Sequence, residues 1–235
     1  MDKRFERVIN VLGGEALGRL RHSTVLIAGL GGVGSYSVEA CVRSGVGRII
    51  IADRDVVEAS NLNRQIEATA KTIGQRKTDV MEERMRSISP DLEIIKKDLS
   101  ISSETVNELF EARPDYVIDA IDSTEGKLAI WQYCQDNGIP FIASMGMARR
   151  MDITQLYVTT LNKTENDPLA KNLRYLARQR GLDLKLKVVI SGEKALPVTK
   201  DENGRTILGS MIFVPAAAGL ICAREAVSFL SSENK

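Results

Sequence analysis

The chain has 235 residues and 43% apolar content, enough to bury one sizeable core, and its 32 basic against 31 acidic side chains neither predict nor exclude an anionic partner. Three scattered cysteines, Cys41, Cys134 and Cys222, exclude a zinc ribbon, a thioredoxin motif and a disulfide scaffold. With no apolar leader after Met1 and no uncharged apolar window of membrane-spanning length, the reading is a cytoplasmic chain with no membrane role.

Phe5, Val8, Ile9, Leu12, Ala16, Leu17 and Leu20 recur at helical spacing, interrupted at Gly13-Gly14, which predicts two short helices. The continuous apolar run at 24–28 suits a strand buried on both faces of a parallel sheet. Further strands are predicted at 48–52, 92–96, 116–120 and 140–144, with helical patterns at 35–44, 77–88 and 127–137. Beyond Ser144 follow a strand at 153–160, a basic helix at 169–180, a short strand at 187–191, a polar mobile loop at 200–205 and a helix at 216–230. This alternation predicts a Rossmann-like, doubly wound α/β fold with a mainly parallel sheet. The expected organisation is one domain over 1–235, with a nucleotide-binding core at about 22–145 and a C-terminal substrate-side extension at about 146–235.

Gly29-Leu30-Gly31-Gly32-Val33-Gly34 places GxGxxG between the first strand and a helix, where glycines permit a tight turn and let backbone N–H groups approach a phosphate. Asp53 ends the second strand, where a carboxylate accepts hydrogen bonds from a ribose hydroxyl pair. Both features serve NAD and ATP equally. Asn61, Arg64 and Lys77 then converge on the same mouth, and the two cations suit a triphosphate whose α-phosphorus is attacked rather than a hydride carrier, solvated loop and helix-end charges being the other reading of Arg64 and Lys77. Asp119 and Asp122 lie at the carboxyl end of the fourth strand; Asp122 is the candidate Mg²⁺ ligand, with an N-cap role as the other reading, and Asp119 reads as structural. Gly126-Lys127 is followed by Leu128, so no Walker A motif exists.

Taken together, Gly29-x-Gly31-Gly32-x-Gly34, Asp53-x-Asp55, Asn61-x-Asn63-Arg64-Gln65, Gly74-x-x-Lys77 and Asp119-Ala120-Ile121-Asp122 resemble the E1-like activating-enzyme superfamily of the ThiF, MoeB and HesA type. The resemblance implies that ATP adenylates a carboxylate, that Asp53 holds the ribose, that Asn61, Arg64 and Lys77 surround the phosphates, and that Asp122 serves the magnesium. It also implies a homodimer in which Arg7 reaches into the partner's site; an exposed charge on the first helix is the alternative for Arg7. From Arg4 to about Arg178 the chain is most similar to the branch whose members cyclise the threonylcarbamoyl group on an adenosine of tRNA, with Arg4-Phe5 and Asn166-Asp167-Pro168-Leu169-Ala170 among the matching residues. That implies a tRNA substrate and leaves room for a sulfur-transfer protein partner. An adenylyltransferase for the C-terminal Gly-Gly of a sulfur-carrier protein is the alternative, and an NAD(P)-binding oxidoreductase the more distant one.

Sulfur-carrier and ubiquitin-like members of the superfamily commonly pass the acyl group to a cysteine after the core sheet, but residues 144–221 contain none. All three cysteines fall in helical patterns and read as buried small hydrophobes. Lys171, Arg174, Arg178, Arg180, Lys185 and Lys187, with Arg149-Arg150 before them, form a candidate stripe for RNA phosphates, or else an ordinary solvated helix face. Tyr175 reads as packing rather than as a base-stacking surface, and His22 as a surface residue without catalytic partners.

Overall fold

In a computed structural model, which describes residues 2–233 apart from 201 and 205, the apolar runs become the centre of a seven-stranded sheet. Its strands are Thr24–Ala28 (β1), Arg48–Ala52 (β2), Glu93–Lys97 (β3), Tyr116–Asp119 (β4), Phe141–Ser144 (β5), Leu156–Thr160 (β6) and Lys187–Ser191 (β7). They stand in the order β3-β2-β1-β4-β5-β7-β6. Only β6 runs antiparallel to its neighbour.

Alternation along each strand divides the core into two layers. Val25, Ile27, Ile49, Ile51 and Ile118 face the layer formed with helices Gly14–Arg21 (α2), Gly34–Arg43 (α3), Lys77–Ile88 (α4) and Phe213–Ser231 (α8). Leu26, Ala28, Ile50, Ala52 and Val117 face the layer formed with Val106–Phe110 (α5), Thr124–Asp136 (α6) and Pro168–Gln179 (α7). A fully buried Leu or Ile contributes about 1.5–3 kcal/mol. The two-sided burial of β1 and β2 therefore explains why unbroken apolar runs, rather than alternating ones, specify them. Ahead of the sheet, Glu6–Leu12 (α1) ends at Gly13, whose φ of +89° breaks the helical path as the double glycine predicted.

Among the described residues, α8 is the one helix long and apolar enough to cross a membrane, yet Ala218, Cys222 and Ala226 on it are fully buried against the sheet. The guanidinium of Arg19 donates to the Ser231 carbonyl at 2.7 and 2.9 Å and so closes the C-terminal end of α8.

Boundaries differ from the sequence reading where side chains cap the chain. Asp152 accepts from the Thr154 N–H, which makes residues 153–155 a 3-10 turn and delays β6 to Leu156. Ser123 accepts from the Gly126 N–H and starts α6 at Thr124, three residues before the predicted start. The third strand lies one residue later than predicted, the last helix begins three residues earlier, and α5 was not anticipated. Within the segment read as a mobile loop, Lys200 ends a short strand, Thr199–Lys200 (β8), paired antiparallel with Thr206–Ile207 (β9); Asp201 and Arg205 lie outside the described residues.

Candidate functional site

The strand order reverses between β1 and β4, and at that point the carboxyl ends of β1, β2, β4 and β5 open into a cavity of about 850 Å³. Crevices at such switch points are where open α/β sheets receive ligands. The glycine loop forms one wall. Gly29 has φ +88°, and a Cβ there would stand 2.9 Å from the Ala120 backbone; a Cβ on Gly34 would stand 1.7 Å from the Gly29 carbonyl oxygen. Both positions therefore require glycine. Gly34 lies beneath the loop rather than in the cavity wall, whereas Gly29, Gly31 and Gly32 line it. The N–H groups of Gly31 and Gly32 have no protein acceptor among the described residues, which leaves donors free at the start of α3.

Asp53 fixes this loop. One carboxylate oxygen accepts from the Leu30 N–H at 2.7 Å and the other from the Asp55 N–H at 2.8 Å, while further lone pairs remain to accept from a ligand. Lys77 is nearly buried at the start of α4, its Nζ 3.3 Å from a carboxylate oxygen of Asp55. Arg64 donates through Nη1 to the Ser60 carbonyl and the Asn63 side chain, leaving Nε and Nη2 uncommitted among the described residues. Asn61 also lines the cavity, but its amide completes a capping box with Glu58 that shapes the turn carrying Arg64. Asp122 is exposed to the cavity with no hydrogen bond or ion pair among the described residues, and the N-cap role falls to Ser123.

Behind Asp122 lies a fully buried polar knot. Asp119 accepts from Lys127 Nζ at 3.0 Å, from the Trp131 indole N–H at 2.7 Å and from the Ile121 N–H at 3.3 Å; Lys127 also donates to the Ser144 carbonyl at 2.8 Å. Burial pushes the Asp119 carboxyl upward, and the Lys127 ammonium and the Trp131 donor oppose that push. Removing either member of such a pair typically costs about 3–5 kcal/mol, so Asp119 and Lys127 hold β4, α6 and β5 in register under the site. Asp119 is structural, as its sequence position suggested. The partner of Lys127 was not visible in sequence.

The opposite wall comes from the segment after β5 and the N-terminus of α7. Asp167 caps α7 through the Ala170 N–H, accepts from the Gly146 N–H at 3.0 Å and pairs with Arg150 at 3.3 Å. Arg150 further donates to the Glu193 and Asn166 carbonyls, and the pair is almost completely buried. Arg150 therefore does not belong to the basic stripe. Nor is Arg149 free, because its guanidinium donates to the Leu196 carbonyl at 2.6 Å. Of the remaining stripe, Arg174 bonds Thr164 and Lys187 pairs with Glu225, while Lys171, Arg178, Arg180 and Lys185 are exposed. Tyr175 is 60% exposed beside them, contrary to the packing role read from sequence. His22 is exposed, its ring Nδ1 bonded to the Gly18 carbonyl.

Arg7 lies on the surface of α1 and is not among the residues lining the cavity of its own chain. All three cysteines are buried, and burial raises their thiols, that of Cys41 to about 12. Thiols so protonated and enclosed are poor nucleophiles. Replacing all three by alanine is expected to leave turnover of the folded protein within about threefold of the parent, measured as pyrophosphate release per folded chain. A loss beyond about a hundredfold would reveal a covalent thioester step.

A model of the ThiF family matches residues 5–235. The tRNA threonylcarbamoyladenosine dehydratase of Bacillus subtilis (strain 168) is 37% identical over 229 residues, 92% of this chain and 90% of that protein. Solved structures of Escherichia coli tRNA N6-threonylcarbamoyladenosine dehydratase, TcdA, superpose with TM-scores of 0.91 in complex with AMP and 0.89 in complex with ATP, at 34% and 33% identity. Each superposition covers 97% of this chain, with 94% and 93% of the TcdA chain. The sulfur carrier protein ThiS adenylyltransferase of Bacillus subtilis (strain 168) is 35% identical over 126 residues, only 53% of this chain and 37% of that protein.

Proposed function

The chain belongs to the ThiF family, and from that premise we infer that it uses ATP to adenylate the carboxylate of N6-threonylcarbamoyladenosine in tRNA and then lets the modified base cyclise. The observation that carries the adenylation is the convergence of the free loop N–H groups, Asp53, Arg64, Lys77 and the unpartnered Asp122 on one cavity. The whole-length relatives carry the substrate.

The chemistry follows from what each group offers. The N–H groups of Gly31 and Gly32 receive phosphate oxygens, and Asp53 accepts from the ribose hydroxyls with its remaining lone pairs. A threonine carboxylate oxygen attacks the α-phosphorus and pyrophosphate leaves. Negative charge grows on the phosphoryl oxygens in that transition state, and Arg64 and Lys77 are placed to stabilise it without reorganising water. A nucleophilic atom of the same threonylcarbamoyl group then attacks the acyl carbon, and AMP departs with the original carboxylate oxygen. The base has thereby lost the elements of water. This closure is intramolecular, so positioning and the exclusion of water supply much of its rate.

Asp122 fits a hard divalent cation, because its carboxylate has no partner among the described residues and Mg²⁺ takes one or two carboxylates with phosphate oxygens and water as its other ligands. Mg²⁺ held there would neutralise phosphate charge. The exposed Lys171, Arg178, Arg180 and Lys185, with Tyr175 among them, suit contact with tRNA phosphates and a base, and binding through them weakens steeply with salt. We further propose that the enzyme works as a homodimer in which Arg7 completes the partner's site. Pyrophosphate release tests the substrate: threonylcarbamoyl-modified tRNA is expected to drive it. Stimulation by a sulfur-carrier protein and not by modified tRNA would overturn the assignment.

A further inference from the structure

Below the glycine loop lies a carboxylate that the chemistry above does not use. Glu67 is 2% exposed, and neither of its carboxylate oxygens has a hydrogen-bond partner among the described residues. Buried polar atoms are almost always paired, so one left alone calls for a physical reason. The side-chain oxygen of Gln65, two residues earlier, is also buried and unpaired.

The segment that carries both is threaded against the loop on which phosphate would sit. The Ile66 N–H donates to the Ser35 hydroxyl at 3.4 Å, and that hydroxyl gives its own proton to the Gly31 carbonyl at 2.7 Å. The Gln65 amide nitrogen lies 3.9 Å from where a Cβ on Gly31 would stand. With its proton on Gly31, Ser35 makes no hydrogen bond of normal geometry to Glu67, and it and the Glu67 N–H only partly offset the effect of burial. Three titratable groups face Glu67 from the surrounding elements: Lys77 at the start of α4 attracts its charge, Asp53 after β2 repels it, and Tyr36 on α3 is raised by burial and then by Glu67. The Lys77 ammonium is bonded to Asp55 rather than to Glu67. Burial outweighs the attraction and holds the Glu67 carboxyl at about 7, where the neutral and charged forms coexist near neutral pH.

We propose that Glu67 is a proton-linked positioning residue of the nucleotide site: ATP binds preferentially when Glu67 is neutral, and its binding draws a proton from solvent onto that carboxyl. The inference rests on the nucleotide reading of the cavity. Phosphates on the far side of the glycine loop repel an ionised Glu67, and they compete for the Lys77 charge that helps it ionise. Both effects strengthen its hold on a proton, and by linkage the proton strengthens the hold on ATP by the same factor. The direction is fixed. With the carboxyl binding its proton more tightly in the complex, ATP affinity is greatest below the free-chain value and declines as pH rises through the window above it.

Calorimetric titration of the full chain with ATP in excess Mg²⁺, near neutral pH in HEPES and again in Tris, reads proton uptake from the difference in apparent heat. Uptake of about half a proton is expected, together with a rise of about threefold in Kd between pH 7 and 8, for a coupling of about tenfold between ATP and the proton. Glu67→Gln, which fixes the neutral form, is expected to bind without uptake and with a flat Kd over that window. Should this variant not fold, Glu67→Met leaves no unpaired polar atom and serves the same comparison. ATP binding by the parent chain without proton uptake overturns the proposal, as does equal uptake by parent and variant, and either result leaves adenylation standing. A complete absence of ATP binding overturns both.

Discussion

Arg64→Ala and Asp122→Ala are each expected to abolish modified-tRNA-dependent pyrophosphate release, with kcat down by at least ~10²–10³, while thermal unfolding stays close to that of the parent. The two halves of that expectation come from different observations. Among the described residues the Arg64 side chain bonds the Ser60 carbonyl and the Asn63 side chain within its own turn, and Asp122 has no partner, so neither truncation orphans a buried group. Surface changes of this kind usually alter stability by less than about 0.5 kcal/mol. Their effect on turnover should be large because Arg64 is poised where the phosphoryl group becomes more negative, and Asp122 would hold the Mg²⁺ that neutralises that charge. Loss of an interaction made only in the transition state lowers kcat and kcat/KM equally, whereas loss of plain nucleotide binding raises KM with kcat intact. Steady-state kinetics on both variants, beside a melting curve, distinguishes these outcomes. Activity within about threefold of the parent would refute the assigned roles.

How far the sequence disclosed this site depended on whether a residue's partner was near it in the chain. The runs at β1, β2 and β7 and the helix α4 were legible residue for residue, because burial on both faces or a clear apolar periodicity leaves few alternatives. The glycine loop with Asp53 was legible as a unit, since strand, turn and helix occur in one stretch. Five residues of helix at α5 carry too little periodicity to be recognised. Long-range partners were the blind spot. Lys127 read only as the lysine of a failed Walker motif, yet it neutralises Asp119 eight residues back and reaches Ser144 on the next strand. Arg150 read as part of a basic stripe because its partner Asp167 lies beyond a whole strand. Tyr175 was assigned to packing when α7 turns it outward, and Glu67 has no pattern at all, since a single glutamate in a connecting segment looks solvated.

The same distinction bears on Arg7, whose proposed target is not in its own chain. Replacing Arg7 by alanine is expected to reduce turnover by at least ~10² through loss of a charge supplied across a dimer. The helix that carries it is suited to that use. None of the residues of α1 is buried, and Val11 on it is 82% exposed, an apolar side chain with no cover in the monomer. The segment is nonetheless anchored at its base, where Phe5 is buried and Arg4 pairs with Asp91 at 2.7 Å, so α1 projects from a fixed root. If Arg7 acts on the partner, a chain carrying Arg7→Ala keeps an intact Asp122 that a neighbour's Arg7 can complete. A chain carrying Asp122→Ala has the reverse defect. Each variant alone is then inactive, but a heterodimer of the two contains one complete site and one doubly deficient one. Equal mixing with free exchange makes half of the dimers heterodimers, so about a quarter of the parent turnover should return. Action within one chain predicts no rescue at any ratio, because neither chain then holds both groups. A single Arg7→Ala preparation that retains parent activity would instead identify Arg7 as an exposed charge without a part in the reaction.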